Sequence, residues 1–532
     1  MLTTFSVLLP QTILIGAACL FFLGGTFPIK RSAWGPLALV VLLAGAIAMA
    51  ARSTAGASAH GSLDSVIVAD SLANVFNWFF LATGAVFTLL SLKEQSESDA
   101  AAEFYGLLLT ITGGMMVVSS ANELILMFLG LELISVPTYV ILYLGRRDLD
   151  SRESATKYFL LSVMSAAILL YGFSFLYGLT GTTNFNGIRE VLARTYTGFG
   201  GHVPAGTGSQ LGILALLLIF AGLGFKVAAV PFHFYAPDVY QGTSAFNAGL
   251  LAVAPKAAGF VALVRIASVT PGFEAAGETI AVILALFTMT GGNILALLQT
   301  NIRRMLAYSS IAHAGYMMIG VAVGFWDSWN PQKGLFGLPG GIQSCLFYLI
   351  AYSLVTAGLF AVLVYLSRPG KQVENIEELT GLSRTHPLVA LCAALFLFSL
   401  AGLPPLPGFW GKLTVFAGAV GVRGDMTAAM PLPRSVFIAL AIAGALNAAI
   451  GGVYYLRVIA VMFLHDPLTT PEPKGGKSAL AAVYLTALAT IFFSVDIRPL
   501  FEALRTVEIA GPNAMTAVQD EDPAPKIVQD RP

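Results

Sequence analysis

Long apolar runs, each closed by a short polar stretch, recur along the whole chain. They fall at about 5–27, 35–51, 66–92, 104–120, 123–144, 155–180 and 211–235. They continue at about 244–267, 277–299, 305–325, 342–367, 386–420, 434–464 and 478–497. At ~1.5 Å rise per residue, about twenty helical residues cross a ~30 Å hydrocarbon core. The pattern predicts an all-α polytopic membrane protein of about 14 transmembrane helices. Two runs, 211–235 and 386–420, contain internal Pro and Gly and predict helices interrupted within the membrane.

Composition agrees with that class. Of 532 residues, 56% are hydrophobic and 11% charged, whereas soluble domains carry about a quarter charged residues. The formal net charge is zero, which leaves no electrostatic case for nucleic acid. Cys19, Cys345 and Cys392 are far apart inside apolar runs and read as small buried hydrophobes rather than a metal site or disulfide framework. No GxGxxG or Walker pattern occurs, so no nucleotide site, metal or catalytic residue is expected here, and any redox chemistry belongs elsewhere. The opening "MLTTFSVLLPQTILIG" lacks a basic n-region and a small-residue cleavage site, and reads as a retained first helix.

Lys and Arg are distributed unevenly between the connections. About 14 lie after odd-numbered spans and about 7 after even-numbered ones, which predicts odd loops in the cytoplasm and both termini outside. Residues 181–210 form a Gly/Thr-rich outer loop with one short helix at "IREVLART". The tail, 508–532, is polar and Pro-rich and reads as disordered.

The two interrupted runs, "GLGFKVAAVP" and "GLPPLPGFWGKL", are five spans apart, and each holds one lysine. Five is odd, so the units containing them would insert with opposite topology, as in inverted-repeat transporters. This gives an N-terminal segment at 1–100, a first repeat at 101–270 (spans 4–8) and a second at 271–465 (spans 9–13). A C-terminal helix at 466–507 follows.

Charges inside apolar runs are the candidate chemistry. Glu132 lies near the centre of the fifth span, Lys226 deep in the seventh, Lys256 midway along the eighth and His313 in the tenth. Lys412 follows the interruption of the twelfth, and His233 stands at the polar edge of the seventh. A lysine near a span end snorkels its ammonium to the headgroups, and Lys157, Arg265 and Arg434 fit that description. Lys226 and Lys256 are too deep to do so. Glu132 could be a purely structural ion partner, His313 a neutral hydrogen-bonded core histidine, and His233 a plain hydrogen-bonding group. Arg457 reads as structural, paired with a carboxylate or a lipid phosphate. Burial disfavours the charged form of a lysine and a neighbouring carboxylate restores it. Moving the carboxylate away, or bringing another cation near, would release the proton. Such a series suits proton transport driven from outside the chain.

Five stretches, "FLGLELISVPTYVI", "GLGFKVAAVPFHFYAPDVYQG", "QTNIRRMLAYSSIAHAGYMMIG", "SLAGLPPLPGFWGKL" and "YYLRVIAVMF", resemble the subunit-2 type N subunits of bacterial respiratory complex I, NADH–quinone oxidoreductase. The resemblance runs from about residue 100 to 465. It implies fourteen helices with two inverted five-helix repeats, each holding a discontinuous helix, and a non-redox, proton-translocating role in the inner membrane of a bacterium. It implies that Glu132 pairs with Lys226, and that Lys256, His313 and Lys412 continue the proton-handling set; His233 reads, from its own place at the mouth of the first interruption, as a relay beside them. Partners would be the other membrane-arm subunits and the bilayer. NADH, FMN, iron–sulfur clusters and the quinone would be bound by other subunits, and this chain would bind no cofactor. A subunit of a multisubunit cation/proton antiporter, or of a complex with a non-NADH donor, is the alternative. Two departures stand out: "TSAFN" follows "DVYQG", and Pro255 precedes Lys256 where a serine is usual. A proline there removes a helix donor and is expected to alter the local break. The chain has neither a long amphipathic helix nor extra spans after the fourteenth, unlike the largest antiporter-like subunit.

Overall fold

The computed structural model describes residues 2–54, 66–144, 148–196, 207–327, 340–367, 372–422, 432–467, 475–505 and 507. The C-terminal tail and several charged loop residues used for orientation, Arg146, Arg147 and Arg368 among them, lie outside the described residues.

Backbone N–H and C=O groups have no water to bond in a bilayer, so a spanning chain satisfies them within helices. The described residues form α1 (Leu2–Gly24), α2 (Trp34–Thr54), α3 (Ser71–Gln95), α4 (Ala101–Ser120), α5 (Leu124–Leu144) and α6 (Leu149–Thr180). Next come α7 (Phe185–Tyr196), α8 (Thr207–Val227), α9 (Tyr235–Gly242), α10 (Ala245–Ala267), α11 (Glu274–Leu297), α12 (Ile302–Asp327) and α13 (Gly341–Leu366). The remainder are α14 (Leu382–Thr385), α15 (Pro387–Ala401), α16 (Pro407–Gly421), α17 (Arg434–Leu464), α18 (Gly476–Val495) and α19 (Arg498–Arg505). Among the described residues, thirteen helices are long and apolar enough to cross a membrane, and α15 with α16 supplies a further, broken crossing. The helix expected at "IREVLART" is α7, an amphipathic piece with Phe185, Ile188, Leu192 and Tyr196 buried.

Two sets of five spans pack in the same order. α4 lies on α5, α5 on α6, α6 on α8 and α8 on α10, with α10 returning to α4. In the second set α11 lies on α12, α12 on α13, α13 on α15 and α16, and these on α17, which returns to α11. The halves meet where α10 packs on α13 and α12. All residues of α10 are buried, so this helix is the centre of the molecule. Helices α1–α3 and α18 cover one side, through α1 and α3 on α4 and α18 on α13 and α3.

Close approach relies on missing side chains. A Cβ at Gly292 would stand 2.6 Å from the Ala312 nitrogen, so α11 and α12 touch backbone to backbone there, the device membrane helices use in place of hydrophobic segregation. Helix starts are capped: the carboxylate of Asp148 accepts from the Ser151 N–H at 3.0 Å, and the Ser244 hydroxyl accepts from the Asn247 N–H at 3.1 Å.

Several expectations are corrected. α10 runs unbroken through Pro255, enclosed by neighbouring helices that bury every one of its residues. Arg265 does not snorkel: it is buried and forks onto Asp70, its Nη2 donating to Oδ1 at 2.8 Å, and it also donates to the Ser119 carbonyl. Arg457 is structural, as expected, but by way of main-chain carbonyls: it donates to those of Leu297 and Gln299 where α11 ends, a cation on the negative end of a helix. Lys157 is part-exposed, as expected of a span end, but is held by Glu153 at 2.7 Å and Asp238 at 3.0 Å. Arg434 is exposed. Of the cysteines, Cys345 is buried and Cys392 half-buried, while Cys19 is exposed on α1, against the expectation. All three are free thiols.

Candidate functional site: a line of buried charges

The seventh span ends its first half at Val227, before the proline that the sequence suggests. Ala228 takes a left-handed conformation, φ 59°. Its N–H donates back to the Phe225 carbonyl at 3.0 Å, and the next N–H, of Ala229, to the Gly224 carbonyl at 2.8 Å. This pair of bonds closes a helix C-terminus of the Schellman kind. Pro231 comes three residues beyond the turn, and α9 resumes at Tyr235. Lys226 therefore occupies the last turn of α8, where the helix dipole favours a cation.

The Lys226 ammonium is enclosed by neighbouring helices. It donates to the Ser135 hydroxyl of α5 at 2.5 Å and to the Ser162 hydroxyl of α6 at 3.1 Å. Glu132 Oε1 is 3.9 Å away, on a side chain about a quarter exposed. The expected pair exists at ion-pair range, with serine hydroxyls rather than the carboxylate as the hydrogen-bond partners. Gly259 of α10 makes room for it. A Cβ there would meet the Lys226 Cβ at 3.1 Å, and Gly259 is one turn from Lys256.

Lys256 donates to the carbonyl and the hydroxyl of Ser310 on α12 and stands 5.3 Å from the centre of the Tyr352 ring. Ser309, its neighbour, bonds the Tyr455 hydroxyl of α17. The same hydroxyl lies 2.9 Å from His313 Nε2, while His313 Nδ1 is 2.7 Å from the Tyr348 hydroxyl of α13. A neutral imidazole meets two hydroxyls in this way with one nitrogen donating and the other accepting.

Lys412 is on α16, beyond the second interruption, and its ammonium reaches back to the Leu400 and Ala401 carbonyls at 2.8 and 2.9 Å. It stands 5.3 Å over the Tyr316 ring, within the ~6 Å range of cation–π attraction. Asn293 of α11 donates to the Tyr316 hydroxyl at 2.8 Å and accepts from Tyr454 at 3.0 Å.

Lys226, Lys256, His313 and Lys412 are each 5% exposed or less, so none reaches an aqueous surface from its place. His233 is separate. It lies half-buried in the connection between α8 and α9, its ring 4.9 Å from that of Phe234, and its buried Nδ1 has no hydrogen-bond partner. In the first turn of α9, Asp238 is gripped by Lys157 and by Arg304 at 2.7 Å. Burial works against the Asp238 carboxylate, but the two cations outweigh it and hold its carboxyl below the usual 3.8.

Sequence reasoning missed the hydroxyls of Ser135, Ser162, Ser310, Tyr348 and Tyr455. A signal existed for two of them, Ser135 and Ser310, and for the neighbouring Ser309. Ser135 follows Glu132 by three residues, and Ser309 and Ser310 precede His313 by four and three, all at same-face helical spacing.

The profile described as NADH:quinone oxidoreductase/Mrp antiporter, TM, matches residues 121–438, the stretch that holds Glu132, Lys226, His233, Lys256, His313 and Lys412. The chain is 35% identical over 497 residues, 92% of its length and 95% of the relative's, to "NADH-quinone oxidoreductase subunit N" of Paramagnetospirillum magneticum. The chain belongs to the subunit N family of NADH-quinone oxidoreductases. Members of this family are multi-pass membrane proteins, and a chain of respiratory complex I from Thermus thermophilus superimposes with TM-score 0.73 at 30% identity, covering 94% of this chain and all of the other. The likeness to a chain of the Mrp complex from Dietzia sp., TM-score 0.74 at 21% identity, covers 95% of this chain and 97% of that one and shows the shared fold alone.

Proposed function

We propose that the chain is the proton-translocating subunit N of the membrane arm of an NADH:quinone oxidoreductase, and that Glu132, Lys226, Lys256, His313 and Lys412 are the groups that carry the proton. The observation that bears most weight is the alternation of buried charge and hydroxyl across the two halves. Lys226 is held by Ser135 and Ser162, Lys256 by Ser310, and His313 by Tyr455 and Tyr348. Hydroxyls both donate and accept, so each can pass a proton that a neighbouring charge displaces. Glu132 at 3.9 Å is near enough to favour a charged Lys226 and far enough that a small shift of α5 removes the benefit.

Division into repeats at 101–270 and 271–465, flanked by 1–100 and 466–507, follows the repeated order of helix neighbours. The excess of basic residues in the odd loops supports termini on the outer side. NADH, flavin, iron–sulfur clusters and quinone are assigned to other subunits. His233, half-buried at the interruption with a buried Nδ1 that has no protein partner, is assigned as a relay at the mouth of the line.

In the complete complex reconstituted in liposomes, Lys226→Ala or Glu132→Ala is expected to depress both proton transport and quinone reduction while subunit content stays unchanged. Normal rates of both in an assembled variant would overturn the assignment. Identification of the flavin and iron–sulfur subunits that co-purify would test the electron input.

A further inference from the structure

Beyond the turn that ends α8, one main-chain donor is left before the proline. Ala228 and Ala229 donate back into the helix, and Pro231 has no N–H, so the Val230 N–H is the group that must find a partner outside. It donates to the Thr288 hydroxyl at 3.0 Å. Thr288 is 1% exposed and belongs to α11, a helix of the other five-span set. The Val230 side chain also faces this helix, since a Cβ at Gly291 would be 3.7 Å from its Cγ2.

The same stretch of α11 reaches the second lysine. Thr290 accepts from Asn447 of α17 at 3.2 Å, and Asn293 donates to the hydroxyl of Tyr316, the ring beneath the Lys412 ammonium. Two turns of one helix are therefore bonded on one side to the interruption carrying Lys226 and on the other to the support of Lys412.

We propose that Thr288 is a positioning residue for proton transfer: by accepting from Val230 it sets where the interruption, and with it Lys226, stands relative to the second set of spans. The inference rests on the proton-carrying role of Lys226. Thr288 itself carries no proton in the path. Its hydroxyl replaces the carbonyl that an unbroken helix would offer, and it does so from across the seam, so displacement of α11 is felt at Lys226 through one hydrogen bond.

The test uses the purified complete complex in liposomes, with Thr288→Val (similar shape, no acceptor), Thr288→Ser (acceptor kept), Lys226→Ala and the Thr288→Val/Lys226→Ala pair. Expected for Thr288→Val are normal subunit content, coupled turnover down by at least about threefold and a displaced pH profile of turnover. Thr288→Ser should stay within about twofold of the parent. The double variant should be no worse than Lys226→Ala, since a residue acting through another adds nothing once that one is gone. If Thr288→Val does not assemble, Thr288→Ala answers the same question with less bulk. Parental turnover in Thr288→Val, equal losses in Val and Ser, or multiplied losses in the double variant would each overturn the proposal. Parental turnover in Lys226→Ala would instead overturn the functional assignment, whatever Thr288→Val shows.

Discussion

In both interrupted helices the chain leaves α geometry through the same pair of backbone bonds. Ala228 and Ala229 reach back to Phe225 and Gly224, and Gly402 and Leu403 reach back to Ser399 and Phe398. Each turn has its left-handed residue at the equivalent place, Ala228 at φ 59° and Gly402 at φ 89°, and each is followed by a cis peptide bond three residues on, at Pro231 and Pro405. The lysines are not equivalent, although each interrupted run holds one. Lys226 precedes its turn by two residues and matches Leu400, while Lys412 comes ten residues after its own. In the first interruption the charge rides on the helix that ends, and the loose backbone is tied to the other half. In the second the charge itself returns to bond the loose carbonyls. The proposed proton site and the structural clamp are separate residues in one case and one residue in the other.

The largest expected effect separates the two roles. Lys412→Ala leaves the Leu400 and Ala401 carbonyls without their donor, at about 1–3 kcal/mol for each buried orphan. Subunit content of the complex on native gels should fall along with turnover, whereas Lys226→Ala should lower turnover alone. Equal assembly of the two would erase the contrast.

A smaller effect of opposite sign is expected at the turns. Gly402→Ala puts a Cβ 3.0 Å from Lys412 Cδ at a positive φ, and left-handed strain alone costs about 1–2 kcal/mol. Ala228→Gly relieves such strain but adds unfolded-chain entropy, leaving a gain of roughly 0–1 kcal/mol. Heat-inactivation half-lives of the complex should shorten for the first and hold or lengthen for the second. The same sign for both would mean the turns are held by something other than backbone conformation.

The smallest effect concerns the surface next to the first interruption. Asp238→Asn breaks pairs with Lys157 and Arg304 that are partly exposed, a loss of under about 1 kcal/mol. Because the folded carboxyl titrates below 3.8, its contribution is complete above that pH and lost as pH falls through the folded value. The variant and the parent should therefore converge in heat stability in acid and differ slightly at neutral pH.

The spans were legible because the bilayer demands long apolar helices, and the buried lysines because a charge in such a run is too expensive to be incidental. The partners were not. Hydroxyls in membrane helices commonly bond their own backbone, as Thr110 does to Gly106 and Ser135 itself does to Leu131. Nothing in the residue type marks Ser135 or Ser310 as facing a lysine. The end of α8 at Val227 was not legible, because an alanine in the left-handed region carries no compositional sign. Arg265 looked like a snorkelling end residue because its partner Asp70 is 195 positions away. Pro255 looked like a break because the packing that encloses α10 comes from distant helices.

That central helix has a consequence for how the protein is made. α10 is enclosed in the finished fold by α4, α5, α8, α12 and α13, yet α12 and α13 are synthesised after it. When α10 first enters the bilayer, Ser310 does not exist and Lys256 has no partner. Insertion of a lysine at mid-helix costs about 2.5–3.5 kcal/mol on translocon scales, which the apolar residues of α10 must outweigh unaided. The hydrophobicity of this helix is thus needed for the minutes of biogenesis, and lipid never touches it again.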